Sequence, residues 1–192
     1  MEKIFIEPET IKEAYKDAGD EGRKLLNKLF PELRLVDFSV TKRVKTFEDA
    51  CRELGYKHPL VTQYMLISGA YKGEEQNDDI IAYLKLRIVC AALNEGWEPQ
   101  FTEDEWRWYP WHYLWTESEL AEKSDEWKAD RHLMMIGDKY QSEYAGLAYA
   151  DSYAAPSYTN TNFGSRLCLK SEELAIYCGK QFIDIWADFI LM

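Results

Sequence analysis

Tyrosine and small polar residues crowd into the stretch from residue 137 to residue 166. Tyrosines recur there every four or five positions, and no Lys, Arg, Glu, Gln, Trp or Met lies between Tyr144 and Phe163, although 30% of the chain is charged. Such side chains combine rigid aromatic area with adaptable hydrogen bonding, as antibody paratopes do. We therefore predict a contact surface that faces a ligand, formed by Tyr140, Tyr144, Tyr149, Asp151, Tyr153, Tyr158, Asn160 and Asn162.

A twisted β-hairpin without any ligand is the competing interpretation of this stretch. Turn-forming residues at 155–157 and 159–160 fit such a hairpin equally well. We favour the contact surface, because its composition departs so far from that of ordinary solvated loops.

Paired carboxylates beside aromatic residues offer a catalytic alternative. Glu103 and Glu105 precede a run with four tryptophans, which is an arrangement compatible with glycan hydrolysis. A charged helix cap followed by core tryptophans explains the same residues more simply, because large aromatic side chains are usually buried. We therefore predict no catalytic residue and no enzymatic activity.

Other reactive motifs are missing from the sequence. It contains no phosphate-binding loop, dinucleotide fingerprint or nucleophile elbow. The three histidines lack metal-ligand spacing, and His112, inside an aromatic run, is predicted to be a hydrogen-bonded core or rim residue. The four cysteines lie among apolar neighbours and are expected to be buried free thiols. We expect no metal ion and no cofactor.

Composition limits the class of partner. The formal net charge of −11 over 192 residues makes nucleic acid an unexpected ligand, because the phosphate backbone would be repelled. No apolar run is long enough to span a membrane, and the charged start after Met1 predicts no signal peptide. We expect synthesis in the cytoplasm, which is compatible with a virion protein released by lysis.

Helical signals dominate the first half of the chain. Apolar spacing predicts an amphipathic helix at 8–29, a capped helix that follows Thr46 and stops at Gly55, and a central buried helix at 78–94. A short helix is possible within residues 60–67, and a short strand is predicted at 33–40.

Strand signals dominate the second half. Strands or aromatic β-structure are expected at 103–115, 131–136, 145–149 and 163–170, with a helix or loop at 116–128 and a last helix after Ser171. The predicted class is α+β, with a mainly helical part at 1–98 and a β-rich part at 99–192 that form one compact unit.

Four segments carry a family resemblance. The helix at 46–55, the segments LNEGWEP at 93–99 and YPWHY at 109–113, and the GSRL strand at 164–167 resemble, in this order, a group of uncharacterised proteins from gut Bacteroidales and their phages. The resemblance covers most of the chain beyond residue 40.

The stretch before Gly164 also resembles C-type-lectin-like variable proteins that are diversified by retroelements. In that group a variable segment rich in Tyr, Ser, Asn and Asp precedes a Gly-x-Arg strand, as residues 140–162 do here. Adenine-directed mutation of Asn codons yields Tyr, Ser, Asp, Thr, Ala and Asn but not Lys, Glu, Gln, Trp or Met, and the segment between Tyr144 and Phe163 contains none of these five. The resemblance implies a lectin-like second half closed by a helix. Calcium-dependent sugar binding is not expected, because the Glu-Pro-Asn motif is missing.

Three hypotheses follow. The first is a non-enzymatic recognition protein of phage or prophage origin that binds a host-surface protein or glycan. The second is a structural or assembly protein of the virion, whose surface packs against copies of itself or against other virion subunits. The third is a glycan hydrolase that uses Glu103 or Glu105.

Overall fold

The computed structural model describes residues 6–18, 20–35, 39–70, 78–100, 102, 104–140, 142–156 and 165–192. Chain contacts divide it into two compact units, Met1–Arg43 and Val44–Met192. The boundary predicted between residues 98 and 99 therefore lies inside the second unit, which holds both the long helix and the sheet.

The first unit is helical. It contains α1 (Pro8–Asp17), α2 (Asp20–Leu29), a 3-10 turn (Pro31–Leu33) and α3 (Val40–Arg43). Its small core is formed by Ile11, Tyr15 and Leu35, with Leu26, Phe30 and Leu33 packed against them.

Two predictions for this unit are corrected. The single helix expected at 8–29 is interrupted, because Ala18 takes an extended backbone with φ −75° and ψ 139°. The strand expected at 33–40 is wrong in its described part. Pro31–Leu33 is a 3-10 turn, Arg34 has a left-handed φ of 44°, and Val40 already begins a helix.

In the second unit, α4 (Phe47–Leu54) begins as predicted. The Asp49 amide donates to Thr46 Oγ1 at 3.1 Å, and the Thr46 amide donates back to Asp49 Oδ2 at 3.0 Å. This reciprocal capping satisfies amides that no helical carbonyl can reach. Gly55 ends the helix with a φ of 86°, a value that side chains disfavour.

Helices α5 (Pro59–Ala70) and α6 (Asp78–Asn94) follow. Helix α6 is the centre of the unit and packs against α4, α5 and the two C-terminal helices. Its second half is almost entirely buried, including Leu86, Ile88, Val89 and Leu93 at 0% exposure. The prediction of a central buried helix is confirmed. Within the described residues, no helix has both the length and the apolar character needed to cross a bilayer.

A three-stranded antiparallel sheet has the order β1-β3-β2, with β1 (Trp106–Trp115), β2 (Met134–Met135) and β3 (Gly146–Pro156). Two short helices, α7 (Glu117–Ala121) and α8 (Asp125–Asp130), lie between β1 and β2. The strand expected at 131–136 is reduced to two residues, whereas the one expected at 145–149 extends to Pro156.

Helices α9 (Glu172–Gln181) and α10 (Ile183–Leu191) close the chain. The predicted Ser171 cap is present, because Ser171 Oγ accepts from the Leu174 amide at 3.3 Å. The last helix is broken at Phe182 into two parts. Helix α9 packs on β1 and β3, and α10 packs on α6 and β3. The α+β class is therefore confirmed.

The strand predicted at 163–170 is corrected in its described part. Residues Ser165–Leu167 form a 3-10 turn, and Leu169 makes one isolated bridge with Trp108. A strand alternates between two faces, yet three consecutive side chains, at 167, 168 and 169, are at most 1% exposed. The Asn94 side chain on α6 fixes this segment, donating to Cys168 O at 2.9 Å and accepting from the Lys170 amide at 3.0 Å.

Candidate functional site

The inner face of the sheet is anchored to the C-terminal helices. His112 Nε2 lies 2.9 Å from Gly179 O and, because a carbonyl oxygen only accepts, this nitrogen carries the proton. The His112 ring also lies 5.6 Å from the Trp186 ring. Burial lowers the pKa of His112, although its bond to Gly179 opposes the shift, so the ring is neutral at pH 7. The prediction of a hydrogen-bonded core or rim histidine is confirmed.

The opposite face of β1 exposes aromatic side chains. Trp111 and Tyr113 are 37% and 57% exposed. Alternate residues of a strand share a face, so Trp115 lies on this side as well. Its ring meets that of Tyr113 at 6.3 Å, edge to face. The second half of β1 thus presents aromatic rings to solvent on this side, whereas Arg107 and Tyr109, at alternate positions of its first half, are 1% and 3% exposed.

A carboxylate lies beside these rings. Asp151 on β3 is the register partner of Trp111 and, beyond a register shift between Trp111 and His112, Tyr113 is opposite Ala148. Side chains of opposed residues in an antiparallel pair lie on the same face. Asp151 is exposed, and its Oδ1 accepts from the Ser152 amide at 2.8 Å. We call Trp111, Tyr113 and Asp151 the outer sheet face.

The ammonium group of a lysine lies over the aromatic rings at the end of β1. Lys123 Nζ lies 4.8 Å from the centre of the Trp115 ring and 5.4 Å from that of Trp127. The two tryptophan rings meet edge to face at 5.2 Å. The turn that follows α7 brings Lys123 to this position, and α7 is itself fixed by Thr116, whose amide donates to Glu119 Oε2 at 2.9 Å.

Tyr140 is a correction to the predicted contact surface. Its side chain is only 8% exposed and packs with Leu147 and Ala187 in the core. Its hydroxyl donates to Asp188 Oδ1 at 2.7 Å. Burial and this hydrogen bond raise the pKa of Tyr140. Tyr140 therefore joins the sheet to α10 and does not face a ligand.

Tyr149 is a second correction. It is 5% exposed, and its hydroxyl lies 2.7 Å from Ser152 Oγ. Its ring packs edge to face on His112, with the ring centres 6.2 Å apart. Burial raises the pKa of Tyr149. The side chain belongs to the inner face of the sheet, which the helices cover.

The remaining predicted residues have different outcomes. Tyr144 is 38% exposed, and Asp151 is exposed on the outer sheet face. The backbone of Tyr153 pairs with Tyr109 in the sheet. Tyr158, Asn160 and Asn162 lie outside the described residues.

Trp111 and Tyr113 are not among the residues predicted from the sequence, because burial is the usual state of large aromatic side chains. Aromatic or apolar residues occupy both sets of alternate positions in Trp106–Trp115, so alternation alone does not identify the buried side. The outer side is identified only by the helices that cover the inner one.

The carboxylates of the hydrolase hypothesis are not brought together as a described pair. Glu105 Oε2 accepts from the Gln100 amide at 2.7 Å, and Glu103 lies outside the described residues. In the part of the chain that the structure describes, no three His, Cys, Asp or Glu side chains are placed to hold a metal ion.

Comparisons with known protein families, with curated proteins and with solved structures find no match to this chain.

Proposed function

We propose that this chain is a non-enzymatic recognition protein and that the outer sheet face is its binding surface. The observation that carries the proposal is the exposure of Trp111 and Tyr113 on a strand whose opposite face is held in the core. Large exposed aromatic side chains are typical of binding surfaces, because they bury much area on contact at a low entropy cost. Asp151 supplies a polar group beside them.

The scaffold supports this role. A binding group on a strand that is anchored to helices loses little conformational freedom when a ligand arrives. His112 and Gly179 join β1 to α9 by a hydrogen bond of 2.9 Å directly behind the exposed residues. The outer sheet face is therefore preorganised.

The origin and the ligand class belong to the same proposal. The Tyr- and Asn-rich segment at 140–162 resembles the variable segment of retroelement-diversified proteins, which supports a C-type-lectin-like architecture in the second unit. We propose a phage or prophage origin and a host-surface protein or glycan as the ligand. Two residues of the predicted contact surface have exposed side chains in the structure. They are Tyr144 and Asp151, the latter on the outer sheet face.

Binding to intact host cells tests the proposal. Fluorescently labelled protein is incubated with a panel of Bacteroidales strains and counted by flow cytometry. The double variant Trp111→Ala, Tyr113→Ala should lose cell binding while its circular dichroism spectrum stays unchanged. Tyr56→Ala is the matched control, because Tyr56 is equally exposed, at 58%, but lies between α4 and α5. Binding that survives the double variant would show that the outer sheet face is not the surface used.

A virion assembly role is the second candidate, and helix α5 favours it. Leu66 is 70% exposed and Met65 is 45% exposed on this helix, whose residues are apolar on several sides. Neighbouring exposed apolar residues are typical of subunit contacts. Light scattering tests this candidate: a fixed oligomer that Leu66→Lys dissociates would support it, and a monomer at all concentrations would exclude self-assembly through α5.

A further inference from the structure

A cavity beside helix α6 has the chemistry of a small-anion site. Its volume is about 380 Å³, and its walls include Arg87, Arg166, the Trp97 ring and the apolar side chains of Leu60 and Pro99. We call it the α6 cavity. We propose that it binds a nucleoside monophosphate, with the phosphate on the two guanidinium groups and the base against the Trp97 ring. The proposal does not rest on the outer sheet face, which contributes none of the lining residues.

One face of α6 forms the first wall of the cavity. Arg87, Ala91 and Asn94 are four and three residues apart, a spacing that places side chains on the same side of a helix. The single methyl group of Ala91 leaves space between its two longer neighbours. Beyond Asn94 the chain turns at Gly96, which has a φ of 86°, and the Trp97 amide donates to Asn94 O at 2.9 Å. This turn brings the Trp97 ring into the wall.

The second wall is the segment that carries Arg166. This residue lies in the 3-10 turn Ser165–Leu167. The next residues are tied to α6, because Asn94 donates to Cys168 O at 2.9 Å and Cys90 Sγ donates to Leu167 O at 3.6 Å. The backbone of Arg166 is therefore held against the helix that carries Arg87, and both guanidinium groups line one cavity.

Neither arginine is neutralised by a carboxylate of its own chain. Within the described residues, Arg87 and Arg166 form no ion pair, although the chain has 34 acidic residues against 23 basic ones. The guanidinium carbon of Arg87 lies over the Tyr83 ring, 6.0 Å from its centre. Such a contact uses the face of the guanidinium group, so the N–H groups at its edge stay available to an anion. Glu98 also lines the cavity, which leaves an excess of one positive charge.

Two guanidinium groups fit a phosphate monoester better than a carboxylate. One guanidinium group already satisfies both oxygens of a carboxylate, whereas a phosphate monoester offers three acceptor oxygens to two such groups. The net charge of −11 opposes a polyanion, but the two arginines supply local attraction for a single phosphate.

The Trp97 ring supplies the second part of the site. It is half-buried, and no other ring or cation contacts it in the part of the chain that the structure describes. Nucleobases stack on aromatic rings of this kind whatever their sequence identity. A volume of about 380 Å³ lies near the lower end of the range of about 300–1,000 Å³ that small-molecule sites occupy. The α6 cavity is therefore of a size for one nucleotide.

Isothermal titration calorimetry of the full chain tests the proposal. The probes are the 5′-monophosphates of adenosine, guanosine, cytidine and uridine, and the controls are the four free nucleosides and inorganic phosphate. We expect at least one nucleotide to bind, with its nucleoside and inorganic phosphate each binding at least about tenfold more weakly. Arg87→Gln and Arg166→Gln should each weaken nucleotide binding about tenfold, because each removes a hydrogen bond to a charged group. Trp97→Leu should weaken it about fivefold or more.

A charge-matched variant controls for general attraction of an anion. Arg52 is an arginine on α4 with a side chain that is 64% exposed, and it does not line the α6 cavity. Arg52→Gln should therefore change the nucleotide affinity less than about twofold. Unchanged circular dichroism spectra and urea midpoints establish that each variant is folded.

Four results would overturn the proposal. They are no binding of any of the four nucleotides, equally tight binding of the free nucleoside or of inorganic phosphate, unchanged affinity in both arginine variants of the cavity, and equal weakening by Arg52→Gln. The proposed function fails or stands independently of these results. The variant Trp111→Ala, Tyr113→Ala should bind the nucleotide as tightly as the unmodified protein, and a loss of nucleotide binding in this folded variant would also contradict a site in the α6 cavity.

Discussion

Gly179 on α9 lies directly against the ring of Tyr149 on β3. A Cβ atom at Gly179 would stand 2.8 Å from Tyr149 Cδ2 and 2.6 Å from Pro110 Cβ. Both distances are shorter than van der Waals contact, so only glycine allows this approach of helix and sheet. The carbonyl of the same residue accepts the His112 hydrogen bond at 2.9 Å. Close approach and hydrogen bond together fix the scaffold behind the outer sheet face.

Gly179→Ala should therefore destabilise the second unit. Overpacking costs about 1–3 kcal/mol, and the Pro110 ring cannot rotate away. Alanine regains up to about 1 kcal/mol of helix propensity, which does not offset the larger overpacking values. We expect a lower urea midpoint with an unchanged m-value.

Gly69→Ala is the matched control for this prediction. Gly69 lies in α5, and a Cβ atom there would meet nothing within 4 Å. The same substitution should stabilise the protein by up to about 1 kcal/mol. Equal effects of the two variants would contradict the role of close packing at Gly179.

Local signals in the sequence were sufficient for α4 and for the buried helix α6, but not for the break between α9 and α10 at Phe182. Thr46 marks the start of α4 and Gly55 its end, because a capping side chain and a glycine with a positive φ act within a few residues. The buried side of β1 could not be predicted in this way. Both of its sides carry aromatic residues, so the choice depends on which side α9 covers.

Tyr140→Phe should destabilise the protein, because the Tyr140 hydroxyl donates to Asp188 Oδ1 at 2.7 Å. A hydrogen bond to a charged group contributes about 1.5–3 kcal/mol. Tyr144→Phe, at a site that is 38% exposed, should have no measurable effect. Urea unfolding measures both variants. A neutral result for Tyr140→Phe would show that Lys139, 2.7 Å from the same oxygen, satisfies Asp188 alone.

The predicted contact surface was only partly right, because the tyrosines of this segment have different environments in the fold. Composition identified an unusual segment but gave equal weight to every tyrosine in it. Tyr140 and Tyr149 are buried because α9 and α10 pack over the inner face of the sheet. Those helices are separated from Tyr140 by more than 30 positions in the sequence, and short-range patterns do not report such contacts.

Stability should fall in alkaline solution. Burial raises the pKa of Cys168 to about 11 and the pKa values of Tyr109 and Tyr177 to about 12. In the unfolded chain these groups lose their protons at lower pH, at about 8.5 for Cys and about 10 for Tyr. The unfolded state then binds fewer protons than the folded state, so stability is complete below about pH 8.5 and is lost as pH rises towards 11–12.

Two variants separate the contributions of the cysteine and tyrosine groups to this loss of folding stability in alkaline solution. Cys168→Ala should flatten the fall in the urea midpoint between about pH 9 and 11, and Tyr177→Phe should flatten it between about pH 10 and 12. Each group accounts for at most about 1.4 kcal/mol per pH unit. A midpoint that stays constant up to pH 11 in the unmodified protein would contradict the burial of these groups.

Lys123→Met tests whether the rings at the end of β1 gain stability from a cation. Methionine keeps the apolar stem and removes the ammonium group that lies 4.8 Å from the Trp115 ring centre. A cation on an exposed aromatic face contributes about 0.5–1 kcal/mol, so the unfolding free energy should fall by that amount. Lys128→Met on α8, which has no such ring contact among the described residues, should change it by less. If the two variants are equally stable, the rings of Trp115 and Trp127 gain no stability from the cation.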